Sequence, residues 1–154
     1  MTPIHLEMPH GPDEFNHLVL DFTGTLALDG ALIPGVAERL RALSGHLTVT
    51  VLTADTFGTA REELSELPVE VRLVRNGQEK AQLVSAMRKD GVVAVGNGRN
   101  DAPMMSVAGL SIAVLGPEGA AATLMSSADV VTRNILDALD LLSHPLRLKA
   151  TLRD

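Results

Sequence analysis

Asp21 follows the apolar run Leu18-Val19-Leu20, and Thr23, Gly24 and Thr25 follow it. An uninterrupted apolar run of that length fits a strand covered on both faces, so the sequence places one carboxylate at a strand end, in a small, hydroxyl-rich turn. Three more polar stations come later: Thr53 with Ala54 and Asp55 after Leu47–Leu52, Lys80, and Asn97 with Asn100 and Asp101 after Val92–Val95. Together these side chains suit phosphoryl transfer. A carboxylate attacks phosphorus, hydroxyl and backbone N–H groups hold the equatorial oxygens, a lysine neutralises charge, and a second carboxylate holds Mg²⁺. Each also has a structural reading. Thr53, Asp55 and Asp101 suit helix caps, and Lys80 taken alone is a solvated lysine.

The elements that must position these stations alternate. Val36, Leu40 and Leu43 share a helical face behind Pro34, and Leu47–Thr53 is β-branched and largely apolar. Ala60, Leu64 and Leu67 predict a second helix, 69–74 a third strand, and 79–89 a helix that buries Leu83, Val84 and Met87. Strands at 92–95, 110–114 and 129–132, helices opening at Pro103 and Pro117, and the Ile135, Leu139, Leu142 stripe complete the pattern. Regular βα alternation predicts an α/β fold: three layers around a doubly wound, mainly parallel sheet. Ligands then bind beyond the carboxyl ends of its strands.

Composition narrows the partners. The 154 residues carry 19 acidic and 13 basic side chains for a formal charge of −6, which predicts no general affinity for nucleic acid or an anionic membrane. Cysteine is absent, which removes disulfides, thiolate metal sites and a cysteine nucleophile, and the five histidines show no metal-ligand spacing. The core must be aliphatic, since there is no Trp or Tyr and only three Phe. No leader-like start and no run of roughly 18 to 20 apolar residues is visible, so a soluble, cytoplasmic protein is expected.

Asp-Phe-Thr-Gly-Thr (21–25), Leu-Thr-Ala-Asp (52–55), Lys80 and Gly-Asn-Gly-Arg-Asn-Asp-Ala-Pro (96–103) resemble the four ordered motifs of the haloacid dehalogenase superfamily. The set is most similar to the phosphorylation domain of P-type ATPases, with Asp-Lys-Thr-Gly-Thr, Thr-Gly-Asp and Gly-Asp-Gly-x-Asn-Asp. The likeness extends through Ala108–Val114 and Ser127–Val131, about residues 17–142. It implies a Rossmann-like core without an inserted cap, because only one helix and one strand separate Asp21 from Thr53. The expected organisation is a single domain: residues 1–16 as an N-terminal strand or flap able to cover the site, 17–142 as core, and 143–154 as a basic tail.

The resemblance implies a Mg²⁺-dependent phosphohydrolase acting on a small phosphorylated molecule or nucleotide. Asp21, Thr53 and Lys80 are then the catalytic residues. Thr23, Gly24, Thr25, Thr53, Ala54, Lys80 and Asn100 bind phosphate, and Asp21, Thr23 through its carbonyl, and Asp101 bind the metal, with Asn97 as an auxiliary ligand. Two residues depart from the superfamily pattern. Thr23 stands where a second aspartate supplies acid–base catalysis, typically about 10² to 10⁴-fold, and this predicts slow turnover or a leaving group that needs no proton. Asn97 stands where a metal-binding aspartate is usual, which predicts weaker Mg²⁺ affinity. The same departures support an alternative, a low-turnover phosphate- or nucleotide-binding regulatory module. A homo-oligomer is one way to cover so open a site.

Overall fold

The computed structural model describes residues 3–6, 14–87 and 89–153. Ten strands and seven helices appear among them, in this order: β1 (Ile4–His5), β2 (Glu14–Phe15), β3 (His17–Asp21), β4 (Ala27–Leu28), β5 (Ala31–Leu32), α1 (Val36–Leu43), β6 (Thr48–Thr53), α2 (Ala60–Glu63), β7 (Glu70–Leu73), α3 (Gly77–Ala86), β8 (Val92–Gly96), α4 (Ala102–Val107), β9 (Leu110–Val114), α5 (Ala122–Ser127), β10 (Val130–Thr132), α6 (Ile135–Ser143) and α7 (Pro145–Leu152). No helix among the described residues is long and apolar enough to cross a membrane.

Six strands form one sheet in the order β10-β9-β8-β3-β6-β7, and every pairing is parallel. Counted from β3 along the chain, this is the doubly wound order in which the first and fourth strands are neighbours. The winding reverses between β3 and β8, which opens a crevice beyond their carboxyl ends. Asp21 ends β3 there, and β8 delivers Asn97 and Asp101 to the same place.

Alternation along the strands makes the three layers. Leu18 and Leu20 of β3, Val49 and Val51 of β6, and Val93 and Val95 of β8 face a core shared with Val36, Leu40 and Leu43 of α1 and Ile135, Leu139 and Leu142 of α6. Val19, Leu52, Val92 and Ala94 face the other way, onto Val84 of α3, Met104 and Met105 of α4, and Leu124 of α5. The central strands β3, β6, β8 and β9 thus bury both faces, and each fully buried aliphatic side chain stabilises the fold by about 2 kcal/mol. Arg39 of α1 grips Asp140 of α6 through two contacts of 2.8 and 3.3 Å, which ties the first helical layer together.

Two expectations are corrected. β1 pairs with β2, and Ile4 and Leu6 join the core on the α1 side. Asn16, just past β2, donates to Gly91 O at 2.9 Å and accepts from Thr48 N at 2.8 Å, so the segment enters at the amino ends of β8 and β6. The described part of the 1–16 segment therefore packs at the end of the sheet opposite Asp21 and is no flap over it; the Gly11-Pro12-Asp13 turn lies outside the described residues. The helix expected at Pro117 begins at Ala122, because hydrogen bonds to Asn97 hold the residues before it in a loop. The basic tail is the helix α7, docked through buried Leu148.

Candidate active site

After β3 the chain turns tightly. Gly24 N–H donates to Ala27 O at 2.9 Å and Thr25 N–H to Phe22 O at 3.2 Å, which commits both amides to the turn. The turn folds the Thr25 hydroxyl back over the strand end, 3.3 Å from Asp21 Oδ2 and 3.1 Å from Asn97 Oδ1. Gly24 has φ +78°, and a β-carbon there would stand 2.7 Å from Asn97 Nδ2, so only glycine lets the two motif loops meet. The Thr23 side-chain oxygen is buried and has no hydrogen-bond partner among the described residues.

Lys80 arrives from the second helical layer. The Asn76 side chain caps α3 by accepting from Glu79 N at 3.0 Å, and Lys80 lies in the first turn. A β-carbon on Gly77 would lie 2.5 Å from Asn100 O, so the missing side chain lets α3 close onto the turn that carries Asp101. Lys80 Nζ then sits 2.9 Å from Asp21 Oδ1 and 2.7 Å from Asp101 Oδ1, and all three residues are buried. Asp101 Oδ2 accepts from the N–H groups of Asn97 and Gly98, each at 3.1 Å, which fixes the carboxylate.

Burial pushes the Asp21 carboxyl up to about 6; the Asp101 carboxylate adds to the rise, and Lys80 opposes it. Burial alone would lower Lys80, but the two carboxylates and their hydrogen bonds outweigh it and hold the ammonium above its ordinary value. A line of carboxylate, ammonium and carboxylate carries one net negative charge when all three are ionised, a setting that favours a further cation.

Thr53 ends β6 one position beyond the residue paired with Asp21 and is 1% exposed. Its hydroxyl accepts from Asp55 N at 2.8 Å, which leaves the hydroxyl proton to donate. Asp55 accepts from Ala60 N at 3.0 Å, so its carboxylate braces the start of α2. Ala54 and Asn100 are exposed at the rim. From sequence, Gly116–Gly119 reads as a strand-to-helix turn, with contact to a ligand as the alternative; the structure places Glu118 Oε1 3.1 Å from the spot where a Gly24 β-carbon would be. A glutamate in a Gly-Pro-Glu-Gly turn carries no local signal of that placement. A cavity of about 560 Å³ lies between the β4–β5 hairpin and the start of α6, lined by Leu28, Leu32, Pro34, Pro117 and Leu136 and by none of the charged site residues.

The donor set fits a hard cation. Asp21, Asp101 and the Thr23 carbonyl offer oxygen, and Asn97 Nδ2 donates to Gly119 O at 3.0 Å, which turns Oδ1 toward Thr25 and the site. Mg²⁺ needs only one or two carboxylates and keeps several waters. Among the described residues no three His, Asp or Glu side chains gather in the way a transition-metal site requires.

The doubly wound parallel sheet, with its charged cluster at the switch point, is a haloacid dehalogenase-like fold. The chain belongs to the haloacid dehalogenase-like hydrolases, whose family model matches residues 65–137. It is 42% identical over 79 residues, 49% of this chain and 85% of the relative, to an uncharacterized protein of Methanocaldococcus jannaschii. It is also 35% identical over 94 residues to a probable cation-transporting ATPase G of Mycobacterium tuberculosis, matching 59% of this chain but only 12% of the ATPase. Among solved structures, 3-deoxy-D-manno-octulosonate 8-phosphate phosphatase from Moraxella catarrhalis, in complex with magnesium and phosphate ions and a KDO molecule, shares the fold with a TM-score of 0.73. That likeness holds at 16% identity over 90% of this chain and 94% of that one.

Proposed function

We propose that the protein is a Mg²⁺-dependent phosphohydrolase that works through an aspartyl phosphate on Asp21. The observation that carries this reading is the line Asp21–Lys80–Asp101, with Nζ 2.9 and 2.7 Å from the two carboxylates, beside the hydroxyls of Thr25 and Thr53 at the switch point. Asp21 Oδ2, the oxygen that Lys80 does not engage, attacks phosphorus as the bond to the leaving oxygen breaks. Thr25 and Thr53 donate to the phosphoryl oxygens, and Lys80 offsets the charge that builds on them. Thr23 supplies no proton, so the leaving oxygen departs as a stable anion or is protonated by solvent. Asp21, Asp101, the Thr23 carbonyl and Asn97 Oδ1 would hold Mg²⁺, which supplies charge neutralisation at the transferring group when bound. The phosphatase neighbour, in complex with magnesium and phosphate ions, supports both the metal and the substrate class, a small phosphorylated molecule.

A second reading is favoured by Thr23, whose side-chain oxygen is buried and unpartnered among the described residues. With no acid or base at that position, the phosphorylated protein is long-lived and acts as a regulatory state. One experiment separates the readings. Purified protein is given Mg²⁺ with aryl, acyl, sugar and nucleotide phosphates, and both released phosphate and hydroxylamine-sensitive phosphoprotein are measured. Multiple turnover supports the phosphohydrolase, and a stable phosphoprotein with negligible release supports the regulatory state. Equal rates for wild type and Asp21→Asn would remove Asp21 from the chemistry.

A further inference from the structure

Between β9 and α5, residues 116–119 form a turn closed by Gly119 N–H donating to Gly116 O at 2.9 Å. Asn97 clamps this loop from both sides, its Nδ2 on Gly119 O at 3.0 Å and its carbonyl accepting from Ala121 N at 2.8 Å. A β-carbon on Gly116 would lie 2.9 Å from Gly24 O, so the loop backbone rests directly on the turn after Asp21. The clamp therefore presents Glu118 from a fixed backbone frame, with Oε1 leaning over Gly24 in the turn that follows Asp21, 3.1 Å from where a β-carbon would stand. Glu118 is exposed, and among the described residues its carboxylate has no hydrogen-bond or ion-pair partner.

We infer that Glu118 is the general base that this chain uses in place of an acid at position 23, and that it serves the hydrolysis of the Asp21 phosphate. The inference rests on the phosphohydrolase reading. A carboxylate in that spot accepts hydrogen bonds and repels phosphoryl oxygens, so the group it orders beside a phosphorylated Asp21 is water. In the step, the water oxygen bonds to phosphorus while the bond from phosphorus to Asp21 Oδ2 breaks. Glu118 takes the water proton, inorganic phosphate leaves, the Asp21 carboxylate is restored, and Glu118 returns its proton to solvent. Asn97 acquires a second task in this scheme. An aspartate there would accept but not donate, and the Gly119 end of the loop would lose its anchor.

The test separates formation of the phosphoprotein from its decay. Wild type, Glu118→Gln and Glu118→Ala are labelled with radiolabelled acetyl phosphate and Mg²⁺, then chased with unlabelled reagent. Both variants are expected to take up label to at least the wild-type level and to lose it about 100-fold more slowly. Decay within about threefold of wild type, or loss of labelling in the variants, would overturn the assignment. Wild type that takes up no label at Asp21 would instead overturn the phosphohydrolase reading, and with it this one.

Discussion

Lys80 Nζ lies 2.9 Å from Asp21 Oδ1, although 59 positions separate the two in sequence. The same ammonium reaches Asp101, so one cation holds two buried carboxylates together. Substituting Lys80 by Met leaves that pair without its counter-charge, and the fold should lose about 3 kcal/mol at neutral pH. Urea unfolding measures the loss, and the double variant Lys80→Met with Asp21→Asn should recover part of it. A Lys80→Met variant as stable as wild type would show that the pair does not depend on the lysine.

The raised Asp21 pKa predicts a pH dependence in metal-free protein. Protonation is easier in the folded state, about 6 against an ordinary 3.8, so the group favours folding below the ordinary value. That contribution fades as pH rises from about 4 through about 6. Carboxyl-carbon NMR in EDTA should give Asp21 a midpoint near 6. Wild type should also lose stability relative to Asp21→Asn across the same window, and a midpoint near 4 would contradict this.

Asn97→Asp tests a trade between metal and loop. A carboxylate is the better Mg²⁺ ligand, and about tenfold tighter binding is expected from calorimetric titration. The same change removes the Nδ2 donor to Gly119 O, so decay of the phosphoprotein should slow in parallel. Unchanged Mg²⁺ affinity would take Asn97 out of the metal's surroundings.

Strands β1 and β2 contribute to stability and lie at the end of the sheet away from the site. Leu6 is 2% exposed, and Leu6→Ala should cost about 2 kcal/mol. Because β1 and β2 pack at the amino ends of the strands, kcat/KM for any substrate that is turned over should stay within about twofold of wild type under folding conditions. A large rise in KM would mean that the segment reaches the site after all.

Much of this fold is written in local pattern. Apolar strands such as Leu18–Leu20 and Val92–Val95 have few alternatives to a doubly covered sheet, and polar residues at their ends mark the crevice. Short elements read less well. α2 is a single turn from Ala60 to Glu63, and Leu64 and Leu67 are buried beyond it, because packing rather than helical periodicity holds that stretch. α5 starts at Ala122 and not at Pro117 because the hydrogen bonds that delay it come from Asn97, more than twenty positions earlier.

By itself the sequence determined which side chains stand at strand ends, the alternation that makes the layers, and the departures at Thr23 and Asn97. Those features depend on residue type and on neighbours within a few positions. Only the tertiary structure decided that Lys80 bridges Asp21 and Asp101, that β1 and β2 lie at the far end of the sheet, and that Glu118 leans over Gly24. Each of these is a meeting of distant segments, set by strand order, by which face each helix covers, and by side-chain hydrogen bonds between loops. No local pattern encodes such a meeting, because it exists only once the sheet has assembled.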